Sequence, residues 1–432
     1  MRSKTESPDA DMGALVAGLG ITVALAGTGF LFRIPPATLP GPALLGVLAA
    51  LVVVGGGFAA RASGDGIRAG MAAGFSTSVW SLLLLGGVLG GASPNSMAAD
   101  RILWIPGFLG TCTLLGGIGA LPVRRATGTR PDWLALHARV TVAATGFLVL
   151  IGGLVTTHGA GLAVTDWPNS FGYSMFLYPF SRMVGGIFYE HSHRVFGSLV
   201  GLATLTLAIH AFRADSRRGV RIAGVAALGF VILQGILGGL RVTGHFTWSA
   251  SPEETAPNLL LAVLHGVSGQ VFFAFMAVFA AVTSRAWKTL PSPGESRPTA
   301  WAKTLPALAV LTLLLQIALG ARVRHTGQGL IEHFAFAAVA AGFAVATGAH
   351  SLKTTRDPRS ARSVWAGALV GLIGIQILLG FGILRGWGWG AAEALPFRVR
   401  ALVETAHQTV GALLLGSAAL LAAWGRRRPP EA

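Results

Sequence analysis

The sequence has few charged residues and a single cysteine, and both shortages restrict what the protein can be. Charged residues make up 12% of the 432 residues, against about 25% in average soluble domains. Hydrophobic residues make up 53% of the chain, and such a composition cannot cover a water-facing surface, so most of the surface must face lipid. The lone Cys112 excludes an internal disulfide and any metal site built from cysteines.

Acidic residues are also scarce, with 17 Asp and Glu against 33 Lys and Arg, which gives a formal net charge of +16. In a soluble protein this excess would suggest a nucleic-acid partner. In a membrane protein, basic residues gather in cytoplasmic loops and fix the topology, and nothing else in the sequence favours nucleic acid, so we predict no such partner. The first 32 residues lack a signal-peptide cleavage pattern, and residues 12–32 are interpreted as an uncleaved first span.

Twelve apolar stretches reach the length of about 20 residues that a membrane-crossing helix needs. We therefore predict an all-α integral membrane protein with about 12 transmembrane helices. When the N-terminus is placed in the cytoplasm, most Lys and Arg fall in cytoplasmic segments, which predicts that both termini are cytoplasmic. The membrane itself is expected to be a bacterial plasma membrane. The stretches are residues 12–32, 41–60, 69–92, 102–123, 133–157, 187–212, 222–243, 256–283, 301–321, 330–350, 363–385 and 401–424.

Histidine is absent from the first 130 residues, and all eleven histidines follow that point. Beyond residue 130 the sequence repeats: the motif beginning at Gln234 is echoed at Gln376, and His193 and His265 are echoed in the second half. We predict an accessory four-helix region (1–130) followed by an eight-helix core of two four-helix repeats (131–290 and 291–432). The first repeat also carries an extra outer loop, roughly residues 158–189.

The repeat places four histidines, His193, His265, His333 and His407, near the outer ends of even-numbered helices. A histidine inside a span is costly unless it has a partner or a ligand, and a hydrogen bond to a neighbouring helix is the simplest such partner. Two histidines that face each other from neighbouring helices instead form a bis-histidine haem site. Zinc and copper usually need three or four protein ligands, so the pattern favours two haem sites.

Charged residues accompany these histidines. Glu190 precedes His193 by three residues and shares its helix face, so it is expected to orient the imidazole or to move protons during an oxidation. Arginine binds carboxylates in bidentate fashion, and Arg194, Arg241 and Arg322 are candidate contacts for haem propionates. Anchoring in lipid headgroups is the alternative for these arginines.

Several motifs together resemble the haem A synthase family, the membrane enzymes that convert haem O to haem A for cytochrome oxidases. The resemblance spans about residues 133–424. The matching pieces are Gly159-Ala-Gly-Leu-Ala-Val-Thr-Asp-Trp-Pro168, Glu190-His-Ser-His-Arg194, Gln234-Gly-Ile-Leu-Gly-Gly-Leu-Arg-Val242, His265 with Gly269-Gln270, and the histidines His333 and His407.

The resemblance implies a role for each half. His193 and His265 would hold the substrate haem O, His333 and His407 would hold a resident haem b, and Glu190 would be catalytic. Two successive hydroxylations of the C8 methyl group would give a gem-diol that loses water to leave a formyl group. This reaction needs oxygen and an unidentified electron donor, and haem O synthase or cytochrome oxidase subunits are the implied protein partners.

The sequence departs from the family in two places. Some members carry a cysteine pair beside the Asp-Trp-Pro turn, but here Val164 precedes Thr165 and Asp166 without a cysteine, which excludes a thiol–disulfide role for this loop. The four N-terminal spans lie outside the eight-helix family core. The residues alone also allow a dihaem b-type electron-transfer protein, a haem carrier, or an assembly factor that has lost catalysis, and only a synthase would make haem A.

Overall fold

The structure is a computed structural model, and most of the described residues are helical. It describes residues 8–91, 93–94, 96–97, 102–123, 131–244, 258–289, 299–355, 357–386 and 395–427, with side chains from residue 12 onward. The long helices are α1 (Pro8–Leu31), α2 (Gly41–Ser63), α3 (Ile67–Leu85), α4 (Trp104–Ala120), α5 (Trp133–Thr157), α6 (Gly185–Ala214), α7 (Arg218–Thr243), α8 (Leu259–Thr283), α9 (Ala300–Thr326), α10 (Leu330–Lys353), α11 (Ala361–Gly386) and α12 (Phe397–Gly425).

Within the described residues, eleven helices are long and apolar enough to cross a membrane. The prediction of an all-α integral membrane protein is confirmed. The fourth expected span, residues 102–123, is shorter than predicted, because α4 covers only the 17 residues from Trp104 to Ala120. Pro122 lies two residues beyond its end and has no backbone N–H with which to continue the helical hydrogen bonds.

The chain forms two compact units. The first contains α1–α4, which pack on one another, and its core includes the buried side chains Leu19, Trp80 and Leu199. The second contains α7–α12, where α7 packs on α8, α9 on α10, and α11 on α12. The units comprise Met1–Phe147, Pro168–Val184 and Arg194–Leu207 in the first, and Leu148–Trp167, Gly185–His193 and Ala208–Ala432 in the second. The predicted division at residues 130 and 290 stays a prediction.

Two connections of very different length precede equivalent helices of the two halves. Residues 158–184 join α5 to α6, whereas residues 327–329 alone join α9 to α10. The short connection turns through Gly327 and Gly329, both with positive φ, a conformation that glycine adopts without steric cost. The extra loop of the first half therefore exists, and it ends at residue 184 rather than at the expected residue 189.

The long connection, which we call the outer loop (residues 158–184), has structure of its own. It contains a two-stranded antiparallel hairpin, β1 (Asn169–Ser170) and β2 (Tyr173–Ser174), in which Asn169 pairs with Ser174. A 3-10 turn at Phe180–Arg182 follows. A second 3-10 turn, Gly86–Val88, follows α3 in the accessory helices.

Candidate functional site

The four predicted histidines lie in two pairs. The ring centroids of His193 and His265 are 6.2 Å apart with an interplanar angle of 87°, and those of His333 and His407 are 6.4 Å apart at 69°. A metal–imidazole bond is about 2 Å long and a ring nitrogen lies roughly 1 Å from the ring centre, so two ligands on opposite sides of one metal place their centroids roughly 6 Å apart. Both pairs therefore have the spacing of two axial ligands of one iron.

Each histidine ring lies against a glycine of the preceding helix, so that the ring approaches the neighbouring backbone closely. A Cβ atom built on the glycine would lie between 2.9 and 3.5 Å from the Cε1 atom of the facing histidine. These contacts join Gly152 to His193, Gly238 to His265, Gly320 to His333 and Gly380 to His407. The two pairs are thus built from four copies of one helix-pair arrangement.

Sequence reasoning found only two of these four copies. It matched the motif at Gln234 with that at Gln376 and overlooked Gln316-Ile-Ala-Leu-Gly320 and Leu148-Val-Leu-Ile-Gly152. The spacing of four residues before the glycine was a usable signal for the third copy. In the fourth copy a leucine replaces the glutamine, which hides the motif.

The residues present fit a porphyrin. The buried Nδ1 atoms of His265 and His407 have no hydrogen-bond partner among the residues that the structure describes, and a buried polar atom left in this state is costly. The backbone carbonyls of Gln234 and Gln376 lie near these rings. A histidine that binds metal through one nitrogen usually donates its other N–H to such a carbonyl, so ligation of Nε2 suits the surroundings of Nδ1.

A bare metal ion is a poorer match. Across the described ranges, no three His, Cys, Asp or Glu side chains cluster so that they could hold a metal ion. A porphyrin brings four nitrogens of its own, so two axial ligands complete the coordination of its iron. Haem at these two pairs stays a prediction.

Glutamine side chains distinguish the second pair from the first. The Nε2 atom of Gln316 donates to the backbone carbonyl of His333 at 2.9 Å and lies 3.1 Å from its Nδ1. The Nε2 atom of Gln376 lies 3.2 Å from the Nε2 of His407. In the first pair, by contrast, Gln234 donates to Ser268 at 2.7 Å. Amide groups thus lie against both rings of the second pair.

Two carboxylates stand three residues before a histidine but have different partners. Glu190, which is 4% exposed, accepts a hydrogen bond from the backbone N–H of Val164 at 2.8 Å. This bond ties the outer loop to the helical turn that precedes His193. Glu404, in the same position relative to His407, forms ion pairs with Arg324 at 2.9 Å and Arg400 at 3.8 Å.

Arg241 is a predicted arginine that interacts electrostatically with Glu190. Its guanidinium lies so close to Gly161 that any side chain at position 161 would overlap it. The Nε atom of Arg241 is buried and has no hydrogen-bond partner among the described residues, and the guanidinium interacts electrostatically with Glu190. One turn of α7 before its end, Gly239 accommodates the ring of Trp167. Gly161 and Trp167 of the outer loop therefore pack on α7.

The other two predicted arginines occupy different surroundings. Arg194 belongs to the first compact unit, where its Nη1 atom donates to the backbone carbonyl of Asn169 in β1 at 3.0 Å. Arg322 is exposed and runs beside Gly329, with its side chain 3.6 Å from the position of a Cβ there. For Arg194 and Arg322, contact with a haem propionate stays a prediction.

Part of the chain matches a known protein family. A family model described as a cytochrome oxidase assembly protein, COX15-CtaA, matches residues 135–346. Residues 135–346 are therefore similar to this family. The match is to the haem A synthase family that the motifs resemble, and it includes His193, His265, His333 and Glu190, whereas α1–α4 precede it and His407 follows it. No curated protein matches the chain.

Proposed function

We propose that the protein is a haem A synthase, which oxidises the C8 methyl group of haem O to a formyl group for the biogenesis of cytochrome oxidase. The difference between the two histidine pairs carries this proposal. Both pairs have the spacing of axial ligands. Beside His193, however, the carboxylate of Glu190 bonds to the outer loop, whereas Glu404 beside His407 is held in ion pairs.

The second pair would hold a resident haem b through His333 and His407. The amides of Gln316 and Gln376 lie against the two rings, and Gln316 also donates to the backbone carbonyl of His333. A bound haem b supplies one-electron transfer. The family match, which includes His333, supports a haem at this position.

The first pair would hold the substrate haem O through His193 and His265. Arg241 has a buried Nε atom available for an anionic group, and a guanidinium binds a propionate carboxylate in bidentate fashion. Glu190 lies one helical turn from His193, where its carboxylate can accept protons as the methyl group is oxidised. The outer loop, bonded to Glu190 through Val164, excludes water from this carboxylate.

The overall reaction consumes oxygen and electrons. Two hydroxylations of the C8 methyl group give a gem-diol, and loss of water leaves the formyl group of haem A. The electrons come from a donor that docks on the protein, and haem O synthase or cytochrome oxidase subunits are the partners that supply haem O and receive haem A. In this proposal the chain lies in a bacterial plasma membrane with both termini in the cytoplasm.

Analysis of extracted haems tests the proposal. The full chain is expressed in a host that makes haem O but no haem A, and the haems are identified by chromatography and mass spectrometry. We expect haem A with the wild type and none with Glu190→Ala or His193→Ala. Glu332→Gln is the matched control, because this exposed carboxylate also stands beside a histidine, His333, and should leave haem A formation intact.

The competing functions give a different result. A dihaem electron-transfer protein or a haem carrier would contain haem b but would form no haem A, even with haem O, oxygen and a reductant present. That outcome for the wild type would refute the synthase function. If Glu332→Gln lost haem A to the same extent as Glu190→Ala, Glu190 would have no specific role in the reaction.

A further inference from the structure

The accessory helices touch the outer loop through three glycines, Gly86, Gly87 and Gly90, which we call the glycine seat. The backbone carbonyl oxygens of Phe176, Tyr178 and Leu177 lie against Gly86, Gly87 and Gly90 respectively, so close that a Cβ atom on any of the three would overlap an oxygen. These carbonyls and the glycine seat belong to the same compact unit. The loop therefore rests on backbone, with no side chain in between.

Backbone conformation does not explain why these positions are glycine. Gly86 has φ −53 and ψ −30, which any residue can adopt, and neither Gly87 nor Gly90 is among the glycines with positive φ. Close approach of another chain segment is the remaining reason for glycine at such sites. The glycine seat is thus shaped for the carbonyl groups that lie on it.

The loop segment on the seat is a defined body rather than a loose chain. The hairpin between β1 and β2 turns through Phe171 (φ 52) and Gly172 (φ 76). Tyr173 and Tyr178 are both buried, and their rings meet edge to face at 5.6 Å. The Arg182 guanidinium lies 5.3 Å from the Tyr173 ring centre. A body held together in this way moves as a whole when its support moves.

Two residues of the outer loop, Asn169 and Val164, are bonded to α6. On one side Arg194, the residue after His193, donates to Asn169 in β1. On the other side Pro168 continues the chain from Trp167, and four residues before Pro168 the N–H of Val164 bonds to Glu190. The chain from residue 164 to residue 168 therefore joins the Glu190 bond to the seated segment.

We propose that the accessory helices α1–α4 position the outer loop through the glycine seat, and that this sets the Val164–Glu190 contact needed for oxidation of haem O. The consequence for haem O rests on the proposed function. The family match begins at residue 135, so the seat is an addition to the matched core and not a part of it. If α1–α4 only enlarged the helical bundle, a methyl group on the seat would leave the loop and the reaction unchanged.

Graded substitutions in the full-length protein test the seat. Gly86→Ala and Gly90→Ala each add one methyl group against a backbone oxygen, whereas Gly107→Ala and Gly110→Ala on α4 add it where no atom lies within 4 Å. Hydrogen–deuterium exchange of peptides within residues 169–184 reports on the loop without reference to haem. Haem b content and haem A yield are measured on the same preparations.

We expect exchange in residues 169–184 to rise about tenfold or more in the seat variants, because overpacking against backbone opens the local structure. Haem b content should match the wild type, haem A yield should fall severalfold, and the α4 variants should behave as the wild type. The unchanged haem b content also shows that the seat variants have folded.

Two results would overturn the inference. If exchange in both seat variants stays at the level of Gly107→Ala, the glycine seat does not hold the loop. If exchange is faster but the haem A yield is unchanged, the seat does not position the loop for the reaction. If even the wild type makes no haem A, the synthase function is refuted. The exchange measurement still shows whether the glycine seat holds the loop. The two failures are therefore distinguishable.

Discussion

Gly320→Ala should loosen the proposed haem b site, while the equivalent Gly380→Ala should not. A Cβ at position 320 would lie 2.9 Å from Cε1 and 3.3 Å from Nδ1 of His333. Carbon atoms attract one another best at about 3.5–4.0 Å, so either the ring or the helix must retreat by roughly 0.6 Å or more. At position 380 the Cβ would lie 3.5 Å from Cε1 of His407, which is an ordinary contact.

The expected loss follows from the tolerance of a metal site. Ligand distances must hold to about 0.2 Å, which is smaller than the displacement that the methyl group at position 320 imposes. Overpacking of a well-packed interior costs roughly 1–3 kcal/mol. With about 1.4 kcal/mol per factor of ten, Gly320→Ala should retain haem b roughly 5- to 150-fold more weakly than the wild type.

The assay is the transfer of haem from the purified protein to an excess of a haem-binding apoprotein, followed by absorbance and related to total haem per chain. Gly320→Ala should release haem b faster, and Gly380→Ala should follow the wild type within about twofold, since an ordinary contact adds little strain. Equal release rates for the two variants would refute the reasoning from ring contacts. So would a wild-type rate for Gly320→Ala.

Two further substitutions probe separate features. Gln316→Leu removes the amide that donates to the His333 carbonyl at 2.9 Å, and haem transfer should accelerate severalfold, since such a bond contributes about 1 kcal/mol; an unchanged transfer rate would show that the amide does not hold the ring. Asp215, which pairs with Arg217 at 2.7 Å, has a lowered pKa because Arg217 donates hydrogen bonds to it. Its stabilising effect is therefore present at neutral pH and is lost as the pH falls below the usual carboxyl range of about 4. Asp215→Asn should lower the melting temperature at pH 7, with the difference from the wild type shrinking below pH 4, and a difference that persists in acid would argue against the ion pair.

The helices could be predicted from the sequence because the lipid imposes a minimum length of about 20 apolar residues on a span. The clear error is α4: the stretch is apolar over residues 102–123, but the helix covers only Trp104–Ala120 and ends shortly before Pro122. The histidine positions were predictable because an imidazole inside a bilayer needs a partner or a ligand. Composition and periodicity were therefore sufficient for the spans and for the four ring positions.

The contacts around the histidines could not be predicted in the same way. The chain has 60 glycines, and small residues are common wherever membrane helices pack, so nothing in the sequence marks Gly152 or Gly320 as facing a ring. The bond from Arg194 to Asn169 depends on the fold of the outer loop. The glycine seat joins α3 to residues that follow it by about ninety positions, and such distant pairings leave no local pattern.

The two halves use one helix arrangement, and the differences between them bear on how firmly each would hold a haem. A resident cofactor must stay, whereas a substrate must leave as product, so a site for exchange cannot have its ligands clamped. Amides lie against both rings of the second pair, whereas Leu148 takes the place of the fourth glutamine in the first. The connection 327–329 leaves no chain to reach a bound group, whereas the outer loop supplies a backbone N–H to Glu190. Under the proposed function, Leu148→Gln should therefore slow the release of product from the first pair and leave the haem b of the second pair unaffected.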